Sequence, residues 1–252
     1  MKQNFILWVA AVVITLLAGY LNSVMDPNYP ISGRIGVNNE KIFYRFDKVY
    51  GGKEDFNILI KTESELINGF IKWRINGTDE WNILEMNLTE RNLSASIPLQ
   101  KPETKIIYQV FLVTETDTIQ IPKNQNLETT FLGFVPSSIK YAGFITLFLG
   151  LLLSIRIALE YFNDKQKIKK LTLFAVSSFI CYGIFISPVT KTFELGAVAN
   201  IILSPSEMFK WNDFIFPLMW ILFTILIFNL KQIKNVAAIA GVITLIIFLF
   251  FH

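Results

Sequence analysis

The residues of this 252-residue chain that could do chemistry are few, and their types limit the reactions open to it. The chain holds one histidine, His252, and one cysteine, Cys181, which lies inside an apolar run. Metal and haem sites need clusters of His, Cys or carboxylate ligands, and Ser–His or Cys–His catalysis needs a histidine beside the nucleophile. We therefore expect no metal, haem or other cofactor and no catalytic residue of these classes. No Walker or Rossmann glycine pattern occurs either.

A charged pair inside an apolar run is the first candidate site. Arg156 and Glu160 are four residues apart, so they lie on one face of a helix and can form an ion pair. Ionisable residues within a membrane span are functional candidates by default. The pair is within two turns of one end of its run, where an arginine can reach the membrane surface. The pattern favours a structural pair, with a grip on a partner protein or a lipid headgroup as the alternative.

Three carboxylates near the fourth apolar run form a second candidate group. Glu194, Glu207 and Asp213 could supply an acid and a base for a lipid-linked substrate. Nothing in their spacing selects this role over a solvated loop.

Small residues at helical spacing carry the third signal. Ala237 and Gly241 are four residues apart in the last apolar run, and such faces let membrane helices approach closely. We predict that this face binds a partner. The sequence leaves open whether the partner is another helix of this chain or another subunit.

Five apolar runs position these residues, and each approaches the ~20 residues that a membrane-spanning helix needs. The mean hydropathy of the chain is +0.46. The runs are Asn4–Val24, Ile139–Phe162, Leu171–Val189, Phe214–Leu230 and Val236–Phe251. The first run is long and lacks a clear small-residue cleavage site, so we expect a retained signal anchor over residues 1–25, with a cleaved signal peptide as the alternative. Residues 139–252 then form a region of four transmembrane helices.

The insert over residues 26–138 has the pattern of a β-domain. Asp55–Lys61 alternates apolar and polar residues, and Asn76-Gly77 is a hairpin signal. Seven or eight short strands with frequent turns predict an all-β, immunoglobulin-like sandwich inserted into a bundle of five transmembrane helices. Trp73 is expected in its core. Tyr108 is also expected there as a core residue, and the alternative is a tyrosine whose hydroxyl bonds back to the backbone.

A short helix on the membrane surface is predicted between the third and fourth runs. Ser204 and Glu207 form a capping box with Pro205 at the first helical position, which predicts a helix near residues 205–211. The preceding segment Leu195–Leu203 is expected to lie flat on the outer leaflet, with a re-entrant turn as the alternative.

Lysines near the ends of the runs predict the orientation. Seven lysines fall on one set of connections and three on the opposite set. Because positive residues stay in the cytoplasm, the N-terminus is expected there and the β-domain and C-terminus in the periplasm. The net charge of +3 comes from these loops, so no nucleic-acid partner is expected.

Several segments of the chain resemble an uncharacterised family of Bacteroidota inner-membrane proteins with a periplasmic immunoglobulin-like domain. They are Trp81–Met86, Leu93–Pro102, Ile107–Leu112, Arg156–Glu160, Lys170–Leu173 and Pro188–Phe193. Relatives have a Trp- and Gly-rich stretch after the third span, from which Gly196–Lys210 departs. The resemblance implies the architecture and an inner-membrane location, and it implies no activity.

These observations favour a non-catalytic subunit or assembly factor of a bacterial inner-membrane complex. Its expected partners are membrane-protein subunits, a periplasmic protein and membrane lipid. The alternative is an enzyme or carrier acting on a lipid-linked substrate at the outer leaflet.

The orientation can be tested with a reporter fused after His252. Because the lysine bias places this terminus outside, a reporter that works only in the periplasm should be active there. Activity of a cytoplasmic reporter at the same position would mean that the number of spans is wrong.

Overall fold

The structure is a computed structural model that describes residues 2–37, 40–62, 67–89, 91–163, 167–197 and 203–250. The chain divides into two compact units. A helical unit comprises Met1–Pro27, Val135–Phe193 and Ala197–His252, and a β-domain comprises Asn28–Phe134 with Glu194–Gly196. His252 lies outside the described residues, as does most of the segment expected to lie flat on the outer leaflet.

Seven α-helices are described, and the expected helices over the five apolar runs are present. They are α1 (Lys2–Met25), α2 (Ser137–Leu159), α3 (Ile168–Ile180), α4 (Ser187–Glu194), α5 (Pro205–Met208), α6 (Trp211–Asn229) and α7 (Ile233–Phe250). Among the described residues, five helical stretches have the length and apolar composition needed to cross a membrane. The third stretch runs from Ile168 to Glu194 and joins α3 to α4 through a π-helical turn, Cys181–Ile186. These stretches keep large apolar side chains exposed, as with Leu16 at 57% and Phe144 at 66%.

The surface helix predicted near residues 205–211 is shorter than expected. α5 ends at Met208, Phe209 is extended, and Trp211 already begins α6. The capping box that begins α5 is confirmed, because Glu207 Oε2 accepts hydrogen bonds from the Ser204 backbone N–H at 2.8 Å and from its hydroxyl at 2.7 Å. These bonds, led by the one from the hydroxyl, lower the pKa of the exposed Glu207.

Helix α2 lies at the centre of the helical unit, where it contacts α1, α3 and α7. Phe179 of α3 stacks on Trp220 of α6 with the ring centroids 5.8 Å apart. The fully buried Trp220 donates its indole N–H to Thr244 of α7 at 3.0 Å. A buried indole needs such a partner, so this bond fixes how α6 and α7 face each other.

Helix α1 packs on the bundle through one stripe of side chains. Ala11, Thr15 and Ala18 are buried on this stripe at spacings of four and three residues. The same spacing places Asn4 at one end of the stripe and Asn22 at the other end. The Asn22 side chain donates to the carbonyl of Phe248 in α7 at 2.5 Å. Small residues therefore allow close contact in the middle of α1, and amides make polar contacts at both ends.

The face expected to bind a partner, Ala237 and Gly241, is occupied by this chain. Ala237 is fully buried. A Cβ atom added at Gly241 would lie 2.5 Å from the Cβ of Ala158 and 2.7 Å from the carbonyl oxygen of Ser154, both in α2. Gly241 therefore permits a close approach of α7 to α2, which is the within-chain alternative that the sequence left open.

The β-domain contains eleven described strands. They are β1 (Ile31–Val37), β2 (Glu40–Phe46), β3 (Val49–Tyr50), β4 (Phe56–Lys61), β5 (Asn68–Ile75), β6 (Asn82–Glu85), β7 (Asn87–Thr89), β8 (Asn92–Ile97), β9 (Lys105–Val113), β10 (Thr118–Ile121) and β11 (Leu127–Phe131).

The prediction of an immunoglobulin-like sandwich is wrong. An immunoglobulin constant-type domain has seven antiparallel strands in sheets of four and three. Here the described strands form three sheets, of six, three and two strands. The six-stranded sheet has the order β3-β11-β9-β5-β6 with β10 paired to β9, the second sheet has the order β4-β8-β7, and β1 pairs with β2. β3 also runs parallel to β11. The strand number was underestimated because several short strands lack a buried face.

The core residues expected in the β-domain lie there. Trp73 is 8% exposed and Tyr108 is fully buried in the main apolar cluster of the domain. The Tyr108 hydroxyl bonds to no backbone group in the described part of the chain, so the alternative of a backbone-bonded tyrosine does not hold. Burial raises the pKa of Tyr108 well above its ordinary value.

A pair of glycine substitutions can test the packing of α7 on α2. Gly241→Leu should destabilise the helical unit by about 1–3 kcal/mol, because α2 must move to admit the side chain. Gly19→Leu in α1 is the matched control, since a Cβ atom there has nothing within 4 Å. Thermal unfolding of the two variants in detergent would measure the difference. Equal melting temperatures would contradict this packing.

Candidate functional site

The buried ion pair of α2 is the most unusual polar feature of the helical unit. Arg156 Nη2 lies 2.6 Å from Glu160 Oε1, and the two side chains are 1% and 0% exposed. Arg156 is in the last turn of α2, and Glu160 begins the 3-10 turn that follows it. Charges buried this deeply are rare unless they are paired and hydrogen-bonded, so the surrounding contacts decide what the pair does.

Helix α1 contributes the other contacts of Arg156. Nη2 also donates to Asn4 Oδ1 at 2.6 Å, and the guanidinium lies over the ring of Trp8 with 5.3 Å between Cζ and the ring centroid. Asn4 and Trp8 are themselves four residues apart and therefore reach Arg156 from one face of α1. The arginine thus joins the beginning of α1 to the end of α2.

The second oxygen of Glu160 holds the connection to α3. Oε2 accepts from the Asn163 side chain at 2.9 Å and from the backbone N–H of Lys167 at 3.1 Å. Lys167 directly precedes the first residue of α3. One ion pair therefore joins three helices.

This geometry weighs against the alternative in which Arg156 and Glu160 grip a partner or a lipid headgroup. Side chains that are 1% and 0% exposed cannot be reached by either one. The Nε and Nη1 atoms of Arg156 are also buried and have no hydrogen-bond partner in the described part of the chain. The contacts described for the pair are those of a structural link between helices.

The three carboxylates considered for a lipid-linked substrate have different surroundings. Glu207 caps α5, and Glu194 ends α4. Asp213, in the first turn of α6, accepts from the Tyr182 hydroxyl at 2.8 Å and from Ser187 Oγ at 2.5 Å. The residues that hold Asp213 were not singled out in the sequence, although two hydroxyls in an apolar run were a visible signal.

A metal centre is not seen in the described residues. They contain no group of three or more His, Cys, Asp or Glu side chains that could hold an ion. Cys181 is a free, half-buried thiol at the first position of the π-helical turn.

A second candidate site is the outer face of the six-stranded sheet, next to its edge strand β6. Ligand pockets commonly measure about 300–1,000 Å³. The groove here measures about 680 Å³ and is lined in part by Phe70, Lys72, Ile83 and Glu85. Phe70 stacks on Phe111 of β9 at 4.8 Å between ring centroids. The Lys72 ammonium lies 5.5 Å from the centroid of Phe111, within cation–π range.

The hydrogen bonds of β6 leave one side of this strand open. The N–H of Met86 donates to the carbonyl of Gly69 in the register of the β5–β6 pair. Residues of an antiparallel strand alternate in the direction of their backbone groups, so those of Ile83 and Glu85 point away from β5. β6 is the last strand of its sheet among the described strands. Ile83 is 62% exposed there, and Trp81, just before β6, is 39% exposed.

Comparisons with known proteins do not assign the chain to a family. No protein-family model and no curated protein matches it. Among solved structures, it matches the crystal structure of a β-1,2-glucanase from Parabacteroides distasonis at 11% identity and a TM-score of 0.20. The match covers 85% of this chain and 33% of the glucanase, so the chain spans about one third of that enzyme. With so low a TM-score, neither the fold nor the activity of the glucanase carries over.

The ion pair can be tested by breaking it and then replacing it. Glu160→Leu should destabilise the helical unit by about 3–5 kcal/mol, because it leaves Arg156 as an unpaired buried charge. The double variant Arg156→Met/Glu160→Leu should recover most of this loss, since it removes both charges. Melting temperatures in detergent measure both effects. A double variant as unstable as Glu160→Leu would show that the contacts of Arg156 with α1, and not the charge balance, dominate.

Proposed function

We propose that this protein is a non-catalytic subunit or assembly factor of a bacterial inner-membrane complex. In this proposal the five apolar helices cross the inner membrane with the N-terminus in the cytoplasm, and the β-domain binds a protein partner in the periplasm. Membrane-protein subunits and lipid contact the exposed apolar faces of the helices. The observation that carries the proposal is the open edge of β6 beside an aromatic and cationic groove.

The use of the ionisable side chains in the helical unit supports binding over chemistry. Arg156 and Glu160 neutralise each other away from any surface, and Asp213 is engaged by two hydroxyls. A general acid or base must reach a substrate proton within hydrogen-bond distance. A buried pair with 1% and 0% exposure does not meet this condition. These contacts weigh against the alternative of an enzyme for a lipid-linked substrate.

The chemistry of the β6 edge fits an extended segment of a partner protein. The backbone groups of Ile83 and Glu85 can pair with such a segment, which would add to the sheet as a further strand. Exposed apolar side chains at Trp81 and Ile83 would lose contact with water on binding. Trp and Arg are the residues most enriched at the centre of interfaces, and here the Arg74 guanidinium lies 5.0 Å from the Trp81 ring centroid.

The charges of the groove indicate the chemistry of that segment. Lys72 has no carboxylate oxygen within the 4.0 Å of an ion pair among the described residues, so its ammonium can receive one from outside. The favoured partner is therefore an extended segment that carries a carboxylate close to an apolar side chain. A like-charged segment would be disfavoured, since charge complementarity governs specificity more than affinity.

Two substitutions of equally exposed residues test the proposal. Ile83→Asp places a charge on the edge strand and should abolish co-purification of the periplasmic partner in mild detergent. Phe43→Asp in β2 is the matched control, because Ile83 and Phe43 are both 62% exposed. Mass spectrometry of native pulldowns from the wild-type protein and the two variants compares which proteins co-purify.

The outcomes separate the two functions. Loss of one protein from the Ile83→Asp pulldown, with the Phe43→Asp pulldown unchanged, supports the proposal. Equal pulldowns from all three proteins would refute partner binding at β6. If Glu194→Gln or Glu207→Gln abolishes function in cells while every pulldown stays unchanged, the lipid-linked enzyme replaces the scaffold.

A further inference from the structure

The third membrane-length stretch contains a change of helical register. α3 ends at Ile180, the next six residues form a π-helical turn, and α4 begins at Ser187. A π-helical turn bonds residue i to i+5 and so holds one residue more than an α-helical turn. Such turns are uncommon and occur frequently at functional sites.

Asp213 bonds to both ends of this turn. Its two carboxylate oxygens accept from Tyr182 and Ser187, at 2.8 and 2.5 Å. Tyr182 is the second residue of the turn, and Ser187 directly follows it. One side chain of α6 therefore spans the whole irregular segment.

The spacing of the Tyr182 and Ser187 hydroxyls decides whether the Asp213 carboxylate can bind both in an α-helical or in a π-helical register. Tyr182 and Ser187 are five residues apart. In an α-helix each residue turns by about 100°, so they would be about 140° apart around the axis and could not face one carboxylate. The i to i+5 bonding of a π-helical turn brings residues at this spacing to the same face. The two hydrogen bonds to Asp213 are thus compatible with the π register alone.

The backbone permits the close contact that these bonds need. A Cβ atom added at Gly183 would lie 2.7 Å from the Asp213 carbonyl oxygen and 2.9 Å from Cδ of Pro217. Pro217 has no N–H, so it cannot donate to that carbonyl four residues earlier in α6. Glycine on one helix and proline on the other therefore place the first turn of α6 directly against the π-helical turn.

We propose that the third stretch is a helix with two registers, and that Asp213 is the latch that holds the π register. When the latch opens, the turn relaxes to an α-helix that is kinked at Pro188, because the proline has no N–H for the carbonyl of Ile184. The residues from Ser187 onwards then rotate by about 100° and shift by about 1.5 Å relative to α3, which is the displacement of one residue. Ser187 leaves Asp213 in this motion. The device is independent of the partner-binding function proposed above.

Cys181 provides a native probe of this motion, because it is the only cysteine of the chain and the first residue of the turn. In the full-length protein in membranes, Ser187→Ala should make maleimide labelling of Cys181 several-fold faster. Ser178→Ala is the matched control: it removes a hydroxyl from the same stretch that bonds to Phe174 of its own helix. Hydrogen exchange of residues 182–187 should accelerate with Ser187→Ala and stay unchanged with the control.

A one-residue deletion separates a register latch from an ordinary stabilising contact. Deleting Ile184 removes the extra residue and fixes the α register, so adding Ser187→Ala to the deletion should change neither labelling nor exchange. An ordinary contact would give the same change in both backgrounds, and that result would overturn the proposal. Equal labelling of Ser187→Ala and Ser178→Ala would also overturn it, and this comparison decides the matter if the deletion does not fold.

Discussion

The rest of the helical unit depends on the need to neutralise one buried charge. A guanidinium away from water is tolerated only with a counter-ion and hydrogen-bond partners, and Arg156 obtains these from two helices. Its counter-ion Glu160 in turn fixes the start of α3 through the Lys167 backbone. Apolar packing cannot do this in lipid, because lipid tails solvate apolar side chains as well as a neighbouring helix does. The pair therefore supplies specificity that apolar contacts lack, and it defines which ends of α1, α2 and α3 meet.

Several other polar side chains of this unit also join one helix to another. Trp220 of α6 donates to Thr244 of α7, and Asn22 of α1 donates to the backbone of α7. Asp213 of α6 accepts from two hydroxyls of the third stretch. The glycines act with them, because a side chain at Gly150 or Gly241 would collide with α3 or α2. Most of the polar groups described above for this unit thus bond to other residues of the same unit. On the β-domain, by contrast, Ile83 lies exposed on the edge strand β6 and Lys72 on the neighbouring strand β5.

The sequence predicted the local features of this structure, and it did not predict the contacts between residues far apart in the chain. Helix limits, the Ser204–Glu207 capping box and the burial of Trp73 follow from composition and periodicity within a few residues, and they were predicted. Asn4 and Arg156 are 152 residues apart, and no periodicity links them. The pairing of Tyr182 with Ser187 was hidden because an α-helical reading places them on different faces. Strand β7 was missed because Asn87, Leu88 and Thr89 are all exposed and give no alternation.

The stripe of α1 has a consequence for how the protein is made. Asn22 bonds to Phe248, which is synthesised 226 residues later. At roughly 5–20 residues per second, α1 waits on the order of tens of seconds before α7 exists. During that time the Asn22 amide lacks the carbonyl to which it donates in the finished bundle. Helix α1 therefore acquires its last neighbour only when α7 has been synthesised, although the two helices lie at opposite ends of the sequence.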